Sequence, residues 1–237
     1  MEQLHISLFG KLCIQYGGQV SSGFEASKVQ ELLCYLLLRR DRPHAREMLA
    51  SMLWGDHCTT AQSKKYLRDA LWRLQSALKS QTGLANSPLL LAEPDWIELR
   101  SIAELWLDVA IFEEAYAAAK DKPGAGLDDR NATVCKRAVQ LHKDVLLANW
   151  YQDWCLCERE RLHQIYLIMI DKLMGYAEAH HDYEVGLSYG RRILQYDRAR
   201  EHTHQQMMRL YYLTGYRAGA LRQYERCVAA LREELDV

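Results

Sequence analysis

Residues 64 to 79 read KKYLRDALWRLQSALK, and their cations recur at helical spacing. At about 100° per residue, Tyr66, Leu67, Ala70, Leu71, Leu74, Ala77 and Leu78 share one apolar arc, while Lys64, Gln75, Arg68, Lys79, Trp72 and Lys65 share the opposite one. Cations gathered on one face can neutralise backbone phosphates and release their counterions, which is the chemistry of nucleic-acid binding. A charged outer face is also the ordinary condition of a surface helix, so the neighbouring elements have to decide between the two readings.

No other constellation points to catalysis. Gly10-Lys11 lacks the upstream glycine and the following Ser/Thr of a phosphate loop, and no GxGxxG is present. Cys155 and Cys157 are two apart in a helical pattern and point about 200° from each other, too far to share a metal easily. They read as buried thiols. His180-His181 and His202-x-His204 read as solvated loop or helix-start histidines, and Glu158-Arg159-Glu160-Arg161 as a salt-bridged helix face. The sequence therefore implies no enzyme, no cofactor and no metal.

The chain's 237 residues, 49% of them hydrophobic, suffice for one large domain or two ordinary ones. The amino end lacks a basic segment followed by a long apolar run, and LLCYLLL at 32 to 38 is too short to span a bilayer, so a cytoplasmic protein without membrane association is expected. Seven scattered cysteines suit reduced core thiols. The net charge of −1 hides an asymmetry: residues 39 to 79 hold nine Lys/Arg against four Asp/Glu, whereas from 101 onward 18 basic residues face 21 acidic ones. Positive charge thus gathers around the helix described above.

The positioning elements follow from periodicity. LHISLF and KLCIQY (4 to 9, 11 to 16) alternate like strands, with Gly10 between them and Gly17-Gly18 after, and a third short strand is expected at 24 to 26. Ser27 is a plausible N-cap for a helix over SKVQELLCYLLLRR; HAREMLASMLW makes a second helix, closed by Gly55-Asp56, and the basic helix runs from about 60 to 80. LLLA and WIEL around a Glu-Pro-Asp turn read as a hairpin. Strands, three helices and a terminal hairpin are the order of a winged helix, in which the third helix enters the major groove.

After residue 100 no further strand is expected, and helical patterns cover 109 to 121, 132 to 148, 153 to 180, 183 to 195, 200 to 214 and 217 to 235, with KPGAGLDD as a loop. At an offset of 34 Met174 aligns with Met208, Tyr176 with Leu210, Gly186 with Ala220, Leu187 with Leu221, Arg192 with Arg226 and Leu194 with Val228, the period of tetratricopeptide helix pairs. Gly186, Gly190, Gly219 and Ala220 would let neighbouring helices approach closely. The expected fold is an α+β winged helix-turn-helix domain at 1 to 100, followed by an all-α tetratricopeptide-like domain at 101 to 237 suited to binding another polypeptide.

SLFGKLCIQYGG, SKVQELLCYLLLRR, REMLASMLWGD and YLRDALWRLQSAL resemble successive pieces of the OmpR/PhoB-type winged helix of bacterial antibiotic regulatory proteins. ELWLDVAIFEEA, YQDWCLCERERLHQIY, DYEVGLSYGRRIL and GALRQYERCVAALREEL resemble the bacterial transcriptional activator domain that follows it there. WLDVxxFE, DWxxxERERL and ALRQYERC, in that order, are specific together. The resemblance spans nearly the whole chain and implies a DNA-binding activator that binds direct repeats upstream of promoters and recruits RNA polymerase.

Lys64, Lys65 and Arg68, near the helix start, are the leading candidates for the DNA face. Where the family's recognition helix commonly reads Ser-Arg-Leu-Arg, this chain has Trp72-Arg73-Leu74-Gln75. Gln75 can pair bidentately with adenine but loses the phosphate or guanine contact of Arg. Trp72 is expected to pack against the wing or the second domain rather than on a thymine methyl or sugar, because large aromatics seldom read bases. Arg73 borders the apolar arc, where a phosphate and an intramolecular carboxylate are equally good partners; Arg46 and His44, near the start of the preceding helix, could meet phosphates from the side. The hairpin tip carries Glu93, Asp95 and Glu98 without a cation, which phosphate would repel. Three functions follow: an activator, bound to DNA as a dimer, whose helical half dimerises or meets polymerase; a protein-interaction module that has lost DNA binding; and a regulator whose helical half senses a small ligand. The first and third are compatible.

Overall fold

Residues 3–21, 24, 26–55, 58–82, 89–100 and 105–235 are described here by a computed structural model, the side chains of 80–82 and 235 excepted. The chain divides into two compact units, Met1–Val109 with Leu146–Glu158, and Ala110–Val145 with Arg159–Val237.

The first unit opens on β1 (Leu4–Ser7) and β2 (Cys13–Tyr16), paired antiparallel, and β3 (Gln19–Val20) continues the sheet beyond β2. Tyr16 faces Gln19 across a turn made of Gly17 and Gly18 alone, both at positive φ (57° and 82°). A hairpin that tight needs two left-handed residues, which glycine adopts without steric cost. The third strand is therefore Gln19–Val20 and not 24 to 26; residues 24 and 26 lie outside any strand, and Phe24 is buried. A strand after residue 100, not expected, also exists: β7 (Leu105–Leu107) lies parallel to β1, giving the order β3-β2-β1-β7. Three residues are too few for any periodicity to register.

Helix α1 (Ser27–Leu38) buries nine of its 12 residues and is the centre of this unit's core. Its N-cap is Ala26, without a side-chain cap bond, so Ser27 opens the helix rather than capping it. Helix α2 (Arg46–Trp54) starts two residues later than expected, because His44 and Ala45 form β4 and pair with Ile97 and Trp96. Helix α3 (Thr60–Thr82) begins at a capping box: Thr59 N–H donates to Gln62 Oε1 (2.9 Å) and Gln62 N–H to Thr59 Oγ1 (3.4 Å), which satisfies two otherwise orphaned groups. Strands β5 (Leu90–Ala92) and β6 (Trp96–Leu99) form the wing, in the order β4-β6-β5.

The second unit is helical, with α4 (Asp108–Ala119) and α6 (Asp153–Ala179) each beginning in the first: α4, a 3-10 turn at Gly124–Gly126, α5 (Asp129–Leu141), α6, α7 (Tyr183–Tyr196), α8 (Glu201–Leu213) and α9 (Arg217–Leu235). Asp128 caps α5 by accepting from Asn131 N–H at 2.8 Å. Helix α5 was expected to reach 148 but stops at Leu141: Leu147 adopts φ 45°, and Leu147 and Ala148 donate their N–H groups to the carbonyls of Leu8 and Gly10. Backbone committed to those partners cannot sustain an i to i−4 ladder. The close α7–α8 approach follows from small residues, since a Cβ on Gly186 would lie 2.9 Å from Leu210 and one on Gly190 2.6 Å from Met207. Gly219 differs: its nearest neighbour is the ring of Tyr216, three residues before it.

Candidate nucleic-acid interface

The apolar arc of α3 is buried as its spacing predicts: Leu67, Ala70, Leu71, Leu74, Ala77 and Leu78 are all inside, while Tyr66 stays partly exposed beside Trp54. Fully burying each leucine is worth about 1.5–3 kcal/mol as an upper estimate, enough to fix the rotation of α3 about its axis. Lys64, Lys65, Arg68, Trp72, Arg73 and Lys79 are left exposed and Gln75 half-buried.

Among these cations only Lys64 is engaged by a described residue. Its Nζ lies 2.6 Å from Glu47 Oε1 on α2, and that hydrogen bond and charge hold the Glu47 carboxyl below its ordinary range. Lys65 and Arg68 pair with no described residue. Trp72, expected to pack, is 69% exposed, so the packing role is not observed among the described residues.

Arg46 and His44 turn inward. Arg46 Nη1 donates to the carbonyl of Glu93 (2.9 Å) and its N–H to that of Asp95 (3.0 Å), pinning the wing tip to the start of α2. His44 is 3% exposed: its Nε2 donates to the Arg39 carbonyl (2.8 Å) and its ring meets Tyr35 edge-on at 5.3 Å. A buried imidazole with its Nε2 proton committed cannot reach a phosphate, so the phosphate contact expected of His44 is corrected to structural support. Between α3 and the wing tip runs a groove with Arg46, Lys64 and Arg68 on its walls, opposed by Glu47 and Asp95. Sequence reasoning missed Glu47, whose relation to Lys64 is tertiary and leaves no local pattern.

The family-like motifs do other work. Asp108 accepts hydrogen bonds from the N–H groups of Leu8 (2.8 and 3.0 Å), Phe9 (2.9 Å) and Val109 (2.7 Å), tying the end of β1 to the start of α4. Burial raises its pKa from the ordinary carboxylate range, and these N–H bonds oppose the rise. Trp154 Nε1 donates to Glu31 Oε1 (3.3 Å) and its ring stands edge-on to Tyr35. Glu158 is salt-bridged as expected, to Arg39, but from a buried position. His204, expected to be solvated, is buried too, and Cys155 is buried while Cys157 is exposed. No described helix is long and apolar enough to cross a membrane.

The bacterial transcriptional activator domain matches residues 107–237. A solved structure of Mycobacterium tuberculosis EmbR, in complex with a low affinity phosphopeptide, superposes with a TM-score of 0.84 at 18% identity, covering 100% of this chain and 62% of that one. The fold is thus a winged helix followed by an all-helical region, as in that chain. No curated protein matches. The matched family consists of transcriptional activators and not of enzymes, and the match covers more than half of the sequence; the chain belongs to the bacterial transcriptional activator domain family.

Proposed function

We propose that the chain activates transcription by laying α3 in the major groove of promoter DNA, with residues 1–100 carrying the DNA-binding surface and 101–237 holding the part that dimerises or meets RNA polymerase in the cytoplasm. The observation that carries this reading is the rotation of α3: its apolar side is locked into the core while Lys65 and Arg68 stand exposed without a partner among the described residues and Lys64 is held by an exposed carboxylate. Exposed cations at the start of a groove-sized helix neutralise phosphates, while Trp72, Arg73 and Gln75 further along meet sugar, phosphate and base edges. Arg46 acts indirectly, by holding the wing.

The test is the salt dependence of promoter binding. Lys65→Ala and Arg68→Ala should each flatten the slope of log K against log salt by about one unit. Binding that is absent, or a slope indifferent to both substitutions, rejects the reading. A second reading has its own observation in the wing, whose Glu93, Asp95 and Glu98 suit a basic protein surface better than phosphate. Under it, substitution of those acids weakens a protein contact and leaves DNA affinity unchanged.

A further inference from the structure

The helical unit contains a cleft that the DNA reading does not use. It lies among α7, α8 and α9, has a volume of about 330 Å³ and sits at the small end of the ligand-pocket range, about 300–1,000 Å³. Arg191, Arg198 and Arg226 line it against a single described carboxylate, Glu233, and none of the three arginines forms an ion pair with a described residue. Elsewhere in this unit arginines do find carboxylates, as in Arg209 with Glu178 and Arg161 with Glu113. Three unpaired guanidiniums around one concavity repel one another unless an anion comes between them.

The floor is polar and buried. His204 (2% exposed) donates its Nε2 proton to the Arg198 carbonyl at 2.8 Å, a bond that fixes the tautomer because a carbonyl can only accept. In that tautomer Nδ1 accepts from Gln223 Nε2, also at 2.8 Å. Gln223 is 1% exposed, and its remaining atom, Oε1, has no hydrogen-bond partner among the described residues. A buried acceptor left unfilled is destabilising, and a donor brought by a ligand would relieve it. Leu194 and Met207 supply apolar wall beside it.

We propose that this cleft binds a small hydroxylated organic anion, its carboxylate or phosphate gripped by Arg191, Arg198 and Arg226 and its hydroxyl donating to Gln223 Oε1. The oxygen is itself covered, so a lining side chain rotates as the ligand enters. The site is independent of the DNA face: neither proposal falls with the other.

Titration calorimetry of the full chain at fixed ionic strength tests it, with glycerol 3-phosphate and glycerate as the two anionic probes and inorganic phosphate and glycerol as controls. At least one hydroxylated anion should bind about tenfold more tightly than inorganic phosphate, and whichever wins identifies the anionic group. Arg191→Ala and Arg226→Ala, which remove side chains without ion-pair partners, should each weaken binding about tenfold with unchanged melting, the loss of one charge-assisted bond. Gln223→Met should erase the advantage over inorganic phosphate; if that variant fails to fold, the two arginine variants still decide. Equal affinity for inorganic phosphate and both probes, or binding that survives both arginine substitutions, overturns the proposal.

Discussion

The pairing of Lys64 with Glu47 makes one cation of the α3 face conditional. Both side chains are exposed, so the pair adds little to stability, but a phosphate must compete with the carboxylate for Lys64. Glu47→Gln should therefore strengthen DNA binding severalfold with an unchanged melting temperature, whereas Lys64→Ala should cost less affinity than Lys65→Ala; a fluorescence-anisotropy titration of the three variants checks the order. His142 carries a different prediction. Burial lowers its pKa to about 4 from an ordinary value of 6.5, and its ring stacks on Tyr166 at 4.4 Å. Between those pH values the unfolded chain binds the proton and the folded one does not, so His142 makes the helical unit less stable as pH falls from about 6.5 to about 4. In His142→Gln, melting curves across that window should flatten.

Among the elements, α3 was fully legible because an amphipathic helix writes its buried side at 3.6-residue spacing, and the capping box Thr59-Thr60-Ala61-Gln62 was there to be read as well. Strands β4 and β7 were not legible: two and three residues carry no period, and their existence depends on partners far away in sequence. The α7–α8 contact sits between these extremes, since glycines announce close approach but not what approaches. Alanine at each glycine gains about 1 kcal/mol of helix propensity. At Gly186 the clash is with the far end of Leu210 at 2.9 Å, which can rotate away; at Gly190 it is with Met207 Cγ and Sδ at 2.6 and 2.7 Å, in a core shared with Met174. Overpacking costs about 1–3 kcal/mol where neighbours cannot yield, so Gly186→Ala should be near neutral in urea unfolding and Gly190→Ala destabilising by about 1 kcal/mol.

At the scale of the molecule, the winged unit is not a continuous stretch. The sequence placed a division near residue 100, where composition changes, yet β7, Asp108 and residues 146–158 are built into the same compact unit as the recognition helix. Linear patterns cannot register a segment that returns after a gap of more than 30 residues, and the family-like motifs WLDV and DWxxxERERL are where it returns: Asp108 on the amides of Leu8 and Phe9, Trp154 on Glu31 and Tyr35, Glu158 on Arg39. Each net hydrogen bond is worth about 1 kcal/mol, and bonds to a charged group about 1.5–3, so losing the set removes several kcal/mol from a domain whose whole stability is about 5–15. A fragment ending at residue 100 should therefore show a broadened or absent urea transition by circular dichroism and bind promoter DNA poorly, although it holds every cation of the α3 face. In the intact chain Asp108→Asn should reproduce part of the loss, about 2–3 kcal/mol, because an amide offers one acceptor where the carboxylate offers two and turns a donor toward backbone N–H groups. A fragment as stable as the full chain, with Asp108→Asn silent in the intact protein, would mean that the returning segments merely rest on a winged helix complete without them.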